Sequence, residues 1–416
     1  MSSRLERFKN EVAAGGSVAE NEPDERPDAL TMVVGIGAWV ALFVVLAFVS
    51  WWIVAFVVGV LVSVFLHEVG HFVTARRSGM KVTQFFMGFG PRIWSFHRDG
   101  VEYGLRAVPL GAFVRIVGMN NLDEVPAADE PFTYRQASFP KRLLVISAGS
   151  LMHVILAILI ITGVYAVAGR IEETGQVSIL AVSDSTPAAA AGLQPDDVIA
   201  AVDGVPMRSA AQFRDVLAGA APGTAVALDV NRGGDVLRLT ATLVQSPNAP
   251  EGEVRGFLGV SSDSRDRVGQ SVFHAVTKGT RDLVAGVGQA VVGIAKVINP
   301  VNVFGHLTGS NTDLSSRPTT LVGAARVSDD FGRAEGWVGL FSLLAALNVS
   351  VGVFNMFPLL PLDGGHAAIA IYERTRERKG RRYFADVSKL MPVVAVTLAL
   401  LGFMFLTGLY LDTVKG

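Results

Sequence analysis

The chain has 416 residues, of which 50% are hydrophobic and only 18% charged, where a soluble domain carries roughly a quarter charged residues. With a mean hydropathy of +0.43, a purely soluble enzyme and a disordered chain are both excluded, and the net charge of -1 argues against a nucleic-acid partner. The absence of cysteine excludes disulfides, Cys-ligated zinc and thiol catalysis.

Residues 1–30 are polar and mixed in charge, with no basic segment directly before the apolar run that follows. They read as a flexible tail rather than a cleavable signal peptide. Four stretches then lack Asp, Glu, Lys and Arg: Ala29–His67, Leu143–Gly169, Gly336–Leu362 and Leu390–Leu411. Each can cross a ~30 Å hydrocarbon core, which needs about 20 helical residues. The first would be about 58 Å long as one helix. Ser50-Trp51-Trp52 has the look of an interface, and a break there gives helices over 31–49 and 52–75, five spans in all. One long tilted helix, giving four spans, is the alternative.

Loop charge sets the orientation. Arg76–Arg142 holds ten Lys/Arg against six Asp/Glu, and Glu373–Arg382 holds six against two. Arg170–Glu335 holds fourteen against eighteen. The positive-inside rule puts the first two on the cytoplasmic face and the acidic segment outside.

His67-Glu68-Val69-Gly70-His71 fits H-E-x-x-H. On a helix, positions i and i+4 share a face, so both imidazoles reach one zinc ion and Glu68 sits beside its open position as a general base. Ionisable groups within a span are costly and seldom idle. For a third ligand, the polar loop Asn120–Glu124 is poorly placed. Asp363 is the better candidate: it ends the apolar stretch after Asn355, in a segment where Pro358 and Pro361 free backbone groups that must line something polar.

His67–His71 together with Asn355–Gly365 resembles the site-2 protease family of intramembrane zinc metalloproteases, in its bacterial RseP-like branch with a PDZ module. The likeness covers about residues 52–412. It implies Zn2+ held by His67, His71 and Asp363, with Glu68 as catalytic base and Asn355 positioning substrate or stabilising the oxyanion. Gln84–Pro91 and Val101–Gly118 read as β-hairpins punctuated by Gly and Pro, which the resemblance makes a membrane-associated sheet near the active site. A scissile peptide must be held extended, and Gly88 and Gly90 would allow that close approach as substrate-binding positions. An ordinary packing hairpin is the plainer reading.

Val177–Val244 looks like a bacterial-protease PDZ domain, with a short helix ending at Gly192 and a tight turn at Asp203-Gly204. The typical Gly-Leu-Gly-Phe carboxylate loop is absent. A gating role or a purely structural one is therefore expected ahead of C-terminal peptide capture, with a peptide or protein ligand still possible. Val272–Ile298 suits an amphipathic membrane-surface helix, and Pro300–Asp330 reads as a loop. His153 reads as a packing histidine bonded to a backbone carbonyl, in a place where the family often has Asn. His366 is a candidate support for the ligands.

The expected fold is a polytopic α-helical membrane protein with a membrane-associated β-hairpin region and an extracytoplasmic β-rich PDZ domain. Its segments are a tail (1–30), an extra span (31–51), the HEVGH span (52–75), the hairpin region (76–142), a span (143–169), the PDZ-like domain (170–250), an amphipathic helix and loop (251–335), a span carrying the Asn-Pro-Pro-Asp segment (336–366), a basic cytoplasmic loop (367–389) and a last span (390–412). The expected activity is zinc-dependent cleavage of single-span proteins in the cell membrane, of the anti-sigma-factor or remnant-signal-peptide type. Transmembrane protein substrates and membrane lipid are the expected partners. The rival is a non-proteolytic PDZ scaffold with structural zinc, which would have no need of Glu68.

Overall fold

The computed structural model describes residues 29–119, 123, 125–250, 252–378 and 381–414. The tail expected at 1–30 lies outside the described residues except for Ala29 and Leu30, as does most of the loop at 120–124. Two compact units are present: Met1–Gly163 with Val276–Gly416, and Val164–Ala275.

The first unit opens with α1 (Ala29–Val49) and α2 (Trp51–Arg77). The break falls at Ser50, whose backbone is extended (φ -166°, ψ 136°) and whose hydroxyl accepts the Trp52 N–H at 3.1 Å. This N-cap ends one helix and starts the next, so the long apolar run is two helices. Strands β1 (Val82–Arg98) and β2 (Val101–Ile116) follow. Each bends back on the other, because Gln84, Phe85, Phe86 and Met87 have partners both in 112–115 and in 102–105. Ala112–Ile116 is thereby an outer segment of the sheet. The bends fall at positive-φ glycines, Gly88 (φ 86°), Gly90 (φ 80°) and Gly111 (φ 103°). At Gly88 a Cβ would lie 2.7 Å from the Val108 carbonyl oxygen. Helix α3 (Phe139–Ala168) comes next.

The second unit holds β3 (Arg170–Val182), α4 (Pro187–Ala190), β4 (Val198–Val202), β5 (Val205–Pro206), α5 (Ala210–Gly219), β6 (Ala225–Arg232), β7 (Asp235–Thr242), β8 (Val244–Gln245), β9 (Gly256–Phe257) and β10 (Val260–Val268). The main sheet has the order β10-β3-β4-β6-β7, with β5 beside β4, around a core that includes Ile179, Ile199, Phe213 and Leu228. Gly192 and Asp203-Gly204 take positive φ, as the turn chemistry expects. The unit runs further than the 170–250 expected, because β10 pairs with β3 and completes the sheet edge. Gly256-Phe257-Leu258-Gly259 leads into that edge strand, with Leu258 buried and Gly259 at φ 90°. This Gly-Phe-Leu-Gly loop before the edge strand corrects the expectation that the module lacks a glycine-bearing loop.

Back in the first unit, α6 (Val272–Ile298) packs Leu283 and Val287 against Ala157 and Val349. Part of its apolar face therefore covers other helices instead of lying only on a lipid surface. The chain turns by 63° into α7 (Pro300–Thr308). The expected loop at 300–330 is corrected: α7 occupies its start, and α8 (Leu321–Glu335) is capped by Thr320 and stitched to Asp412, whose carboxylate accepts the Thr320 N–H and O–H at 2.8 Å each. Seven residues separate helix α9 (Trp337–Asn355) from α10 (Asp363–Arg376), and α11 (Met391–Val414) is the last described element. The 336–366 segment is therefore not one helix. The expected basic loop at 367–389 begins as α10, since Ala367 and Ala370 are buried against Val145 and Ile146. Among the described residues, five helices are long and apolar enough to cross a membrane, or six if the bent α6–α7 pair counts as one.

Candidate active site

Helical spacing brings the two imidazoles of α2 together. His67 Nε2 and His71 Nε2 lie 3.1 Å apart, and Asp363 Oδ2, on the first residue of α10, is 3.4 Å from each. Both histidines are buried. Tetrahedral zinc with bonds of about 2.0–2.1 Å places its ligand atoms about 3.3 Å apart, so these three edges fit the ion. Asp363 Oδ2 is buried with no hydrogen-bond partner among the described residues. A buried carboxylate oxygen facing two ring nitrogens is what a cation would satisfy.

The surroundings hold these three side chains in place. His71 Nδ1 lies 2.7 Å from the Val145 carbonyl oxygen, and donating there leaves Nε2 with its lone pair toward the site. Asp363 can start a helix close to the preceding turn because glycines follow it: a Cβ on Gly365 would lie 2.6 Å from Leu360 N, and one on Gly364 would overlap the Met356 carbonyl. Where α2 and α3 cross, Gly70 meets the Ala148 carbonyl oxygen and Gly149 meets both imidazoles.

Glu68 Oε1 is 3.9 Å from His67 Nε2. It borders a cavity of about 120 Å³ shared with His71, Asp363, His366 and the outer strand segment at Ala112–Val114. Phe89 also lines this cavity; Gly88 and Gly90, on either side of it, do not. Arg106 holds their bend by donating to the Gly90 carbonyl at 2.9 Å, its guanidinium over the rings of Phe86 and Phe113. Asn355 is the last, half-buried residue of α9 and is not in the cavity wall.

Asn348 and Ser63 were not singled out from the sequence, and the structure corrects the partner expected for His153. His153 packs on His67 with ring centroids 5.0 Å apart. Its Nδ1 lies 2.8 Å from Asn348 Oδ1, so its partner is a side chain rather than a backbone carbonyl. Asn348 is buried, and its amide donates to Ser63 Oγ at 3.1 Å and to the Leu344 carbonyl at 2.8 Å. Ser63 lies four residues before His67, on the same helix face, and that spacing was the available signal.

The sequence matches peptidase family M50 over residues 55–400. It is 35% identical to zinc metalloprotease Rip1 of Mycobacterium tuberculosis, over 85% of this chain and 95% of that protein. Rip1 of Mycolicibacterium smegmatis is 32% identical, also over 85% of this chain and 95% of that protein. Among solved structures, the PDZ domain of an SdrC-like protein from Listeria monocytogenes is similar to 21% of this chain and 87% of that chain, at 22% identity and a TM-score of 0.19. The full-length matches and the family profile together establish that the chain belongs to peptidase family M50, the site-2 proteases, and is a zinc metalloprotease of the membrane.

Proposed function

We propose that this protein cleaves single-span membrane proteins inside the membrane, as in regulated intramembrane proteolysis. The observation that carries the reading is the convergence of His67, His71 and Asp363 beside Glu68, in a helix free of other charge until its last turn. Zinc held by those three side chains would supply a Lewis acid that activates water and polarises the scissile carbonyl. Glu68 takes the proton of the attacking water and delivers it to the leaving amine. A helical peptide bond is shielded, so the substrate is held extended along Ala112–Ile116, the segment that borders the Glu68 cavity. Gly88 and Gly90 support this by setting the bend that aims Phe89 into the cavity. Asn355 donates a hydrogen bond to the developing oxyanion or orients the substrate beside it.

The protein is multi-pass in the cell membrane, with the 76–142 region and the basic segment cytoplasmic and the PDZ-like unit outside, by the loop-charge asymmetry. The PDZ-like unit gates substrate access. Anti-sigma factors and remnant signal peptides are the substrate classes in view. The test is Glu68→Gln on the purified full chain with a panel of single-span substrates. Cleavage should fall by at least about a hundredfold with zinc content unchanged. Wild-type cleavage by that variant would overturn the mechanism.

A further inference from the structure

Arg374, Glu377 and Arg382 take no part in the chemistry above. Together with Arg135, and with Arg142 at the start of α3, they line a cavity of about 420 Å³, with Glu377 as its one acid among the described residues. Behind the wall, Arg135 is paired with Glu130 and Arg142 with Glu373, while Arg374 is paired with Glu377. Arg382 binds the Gln136 backbone carbonyl and has no carboxylate among the described residues. The first turn of α3, at 138–140, also lines the cavity and adds the partial positive charge of a helix N-terminus.

A second, independent feature points to an anion. Arg142 is only 7% exposed, and its Nε is buried with no hydrogen-bond partner among the described residues. Nε itself is closed off, but the Arg142 side chain lines the cavity, so its buried positive charge, weakly screened there, attracts an anion to that wall. The location agrees. Arg142 is the last charged residue before the apolar run Leu143–Gly169, so the cavity sits where α3 enters the hydrocarbon and lipid phosphates lie.

We infer that this cavity binds a phosphate-bearing anion, with the headgroup of an anionic phospholipid as the occupant its depth favours. Glu373, which grips Arg142 at 2.6 Å, lies on the helix that begins with Asp363. A bound headgroup would thus brace the clamp between α3 and α10 from the outside.

The test uses the full chain in detergent doped with phosphatidylglycerol or phosphatidylcholine, with retained lipid counted by native mass spectrometry. The wild type should retain phosphatidylglycerol in preference by about tenfold, and Arg374→Gln with Arg382→Gln should abolish that preference. Zinc content reports the fold of the variant, and the charge-keeping Arg374→Lys with Arg382→Lys should restore most of the preference if the glutamine variant is unfolded. Displacement by millimolar inorganic phosphate would identify a soluble phosphate as the occupant of the same site. Equal retention of both lipids, or wild-type preference in the folded glutamine variant, would overturn the proposal.

Discussion

Gly149 of α3 lies against His67 of α2 so closely that a Cβ on the glycine would sit 2.6 Å from His67 Nε2 and closer still to His71 Nε2. The two helices can cross beside the His67–His71 pair only because this position has no side chain.

Gly149→Ala therefore acts on the site before it acts on the fold. Overpacking of this kind costs about 1–3 kcal/mol, and displaced imidazoles weaken metal binding by about 10–100-fold. Zinc titration of the variant against wild type checks this. Wild-type zinc affinity would show that the crossing has room to spare.

Asn348 is the hub that holds His153 against His67. Its carboxamide accepts from the His153 ring while donating to Ser63 and Leu344. Asn348→Ala strands buried polar groups at about 1–3 kcal/mol. Thermal unfolding in detergent should shift down, and zinc should be lost at a lower chelator concentration. A lowered melting temperature with zinc retention unchanged would make the network structural only.

In the second unit, Arg232 donates to Asp197 at 2.7 and 2.8 Å, and the Gln194 N–H adds a bond at 2.9 Å. The Arg232 hydrogen bonds hold the Asp197 carboxyl below the usual carboxylate range, against the opposing effect of burial. A depressed folded pKa contributes stability that is complete above the unfolded value of about 3.9 and lost as pH falls through the folded value. Hydrogen exchange in Val164–Ala275 should accelerate below about pH 4, and Asp197→Asn should show fast exchange already at neutral pH. Exchange in that variant that matches wild type at neutral pH would remove the pair from the account.

What the sequence disclosed and what it hid divide along physical lines. The HEVGH spacing and the Asn-Pro-Pro-Asp segment are local patterns, and they named the three side chains that converge, His67, His71 and Asp363. Ser50-Trp51-Trp52 marked the helix break, and the Ser50 cap that makes the break acts within one turn. The partner of His153 was hidden because Asn348 lies 195 residues away, and nothing local announces such a pairing. Helix α8 was hidden because its stability comes from Asp412 and from the helices beside it, whereas its Gly- and Ser-bearing composition reads as loop. The double pairing of β1 was hidden too, since Gly88 and Gly90 mark a bend without saying which strand returns on which side.

The most direct test of the account is the zinc content of the detergent-purified chain, wild type beside Asp363→Ala. Asp363 reaches the two histidines from a separate helix, so its loss should remove a ligand while leaving α2 intact. About one zinc per wild-type chain, lost or held far more weakly in the variant, is the predicted result. Full zinc occupancy in the variant, or none in the wild type, would contradict it.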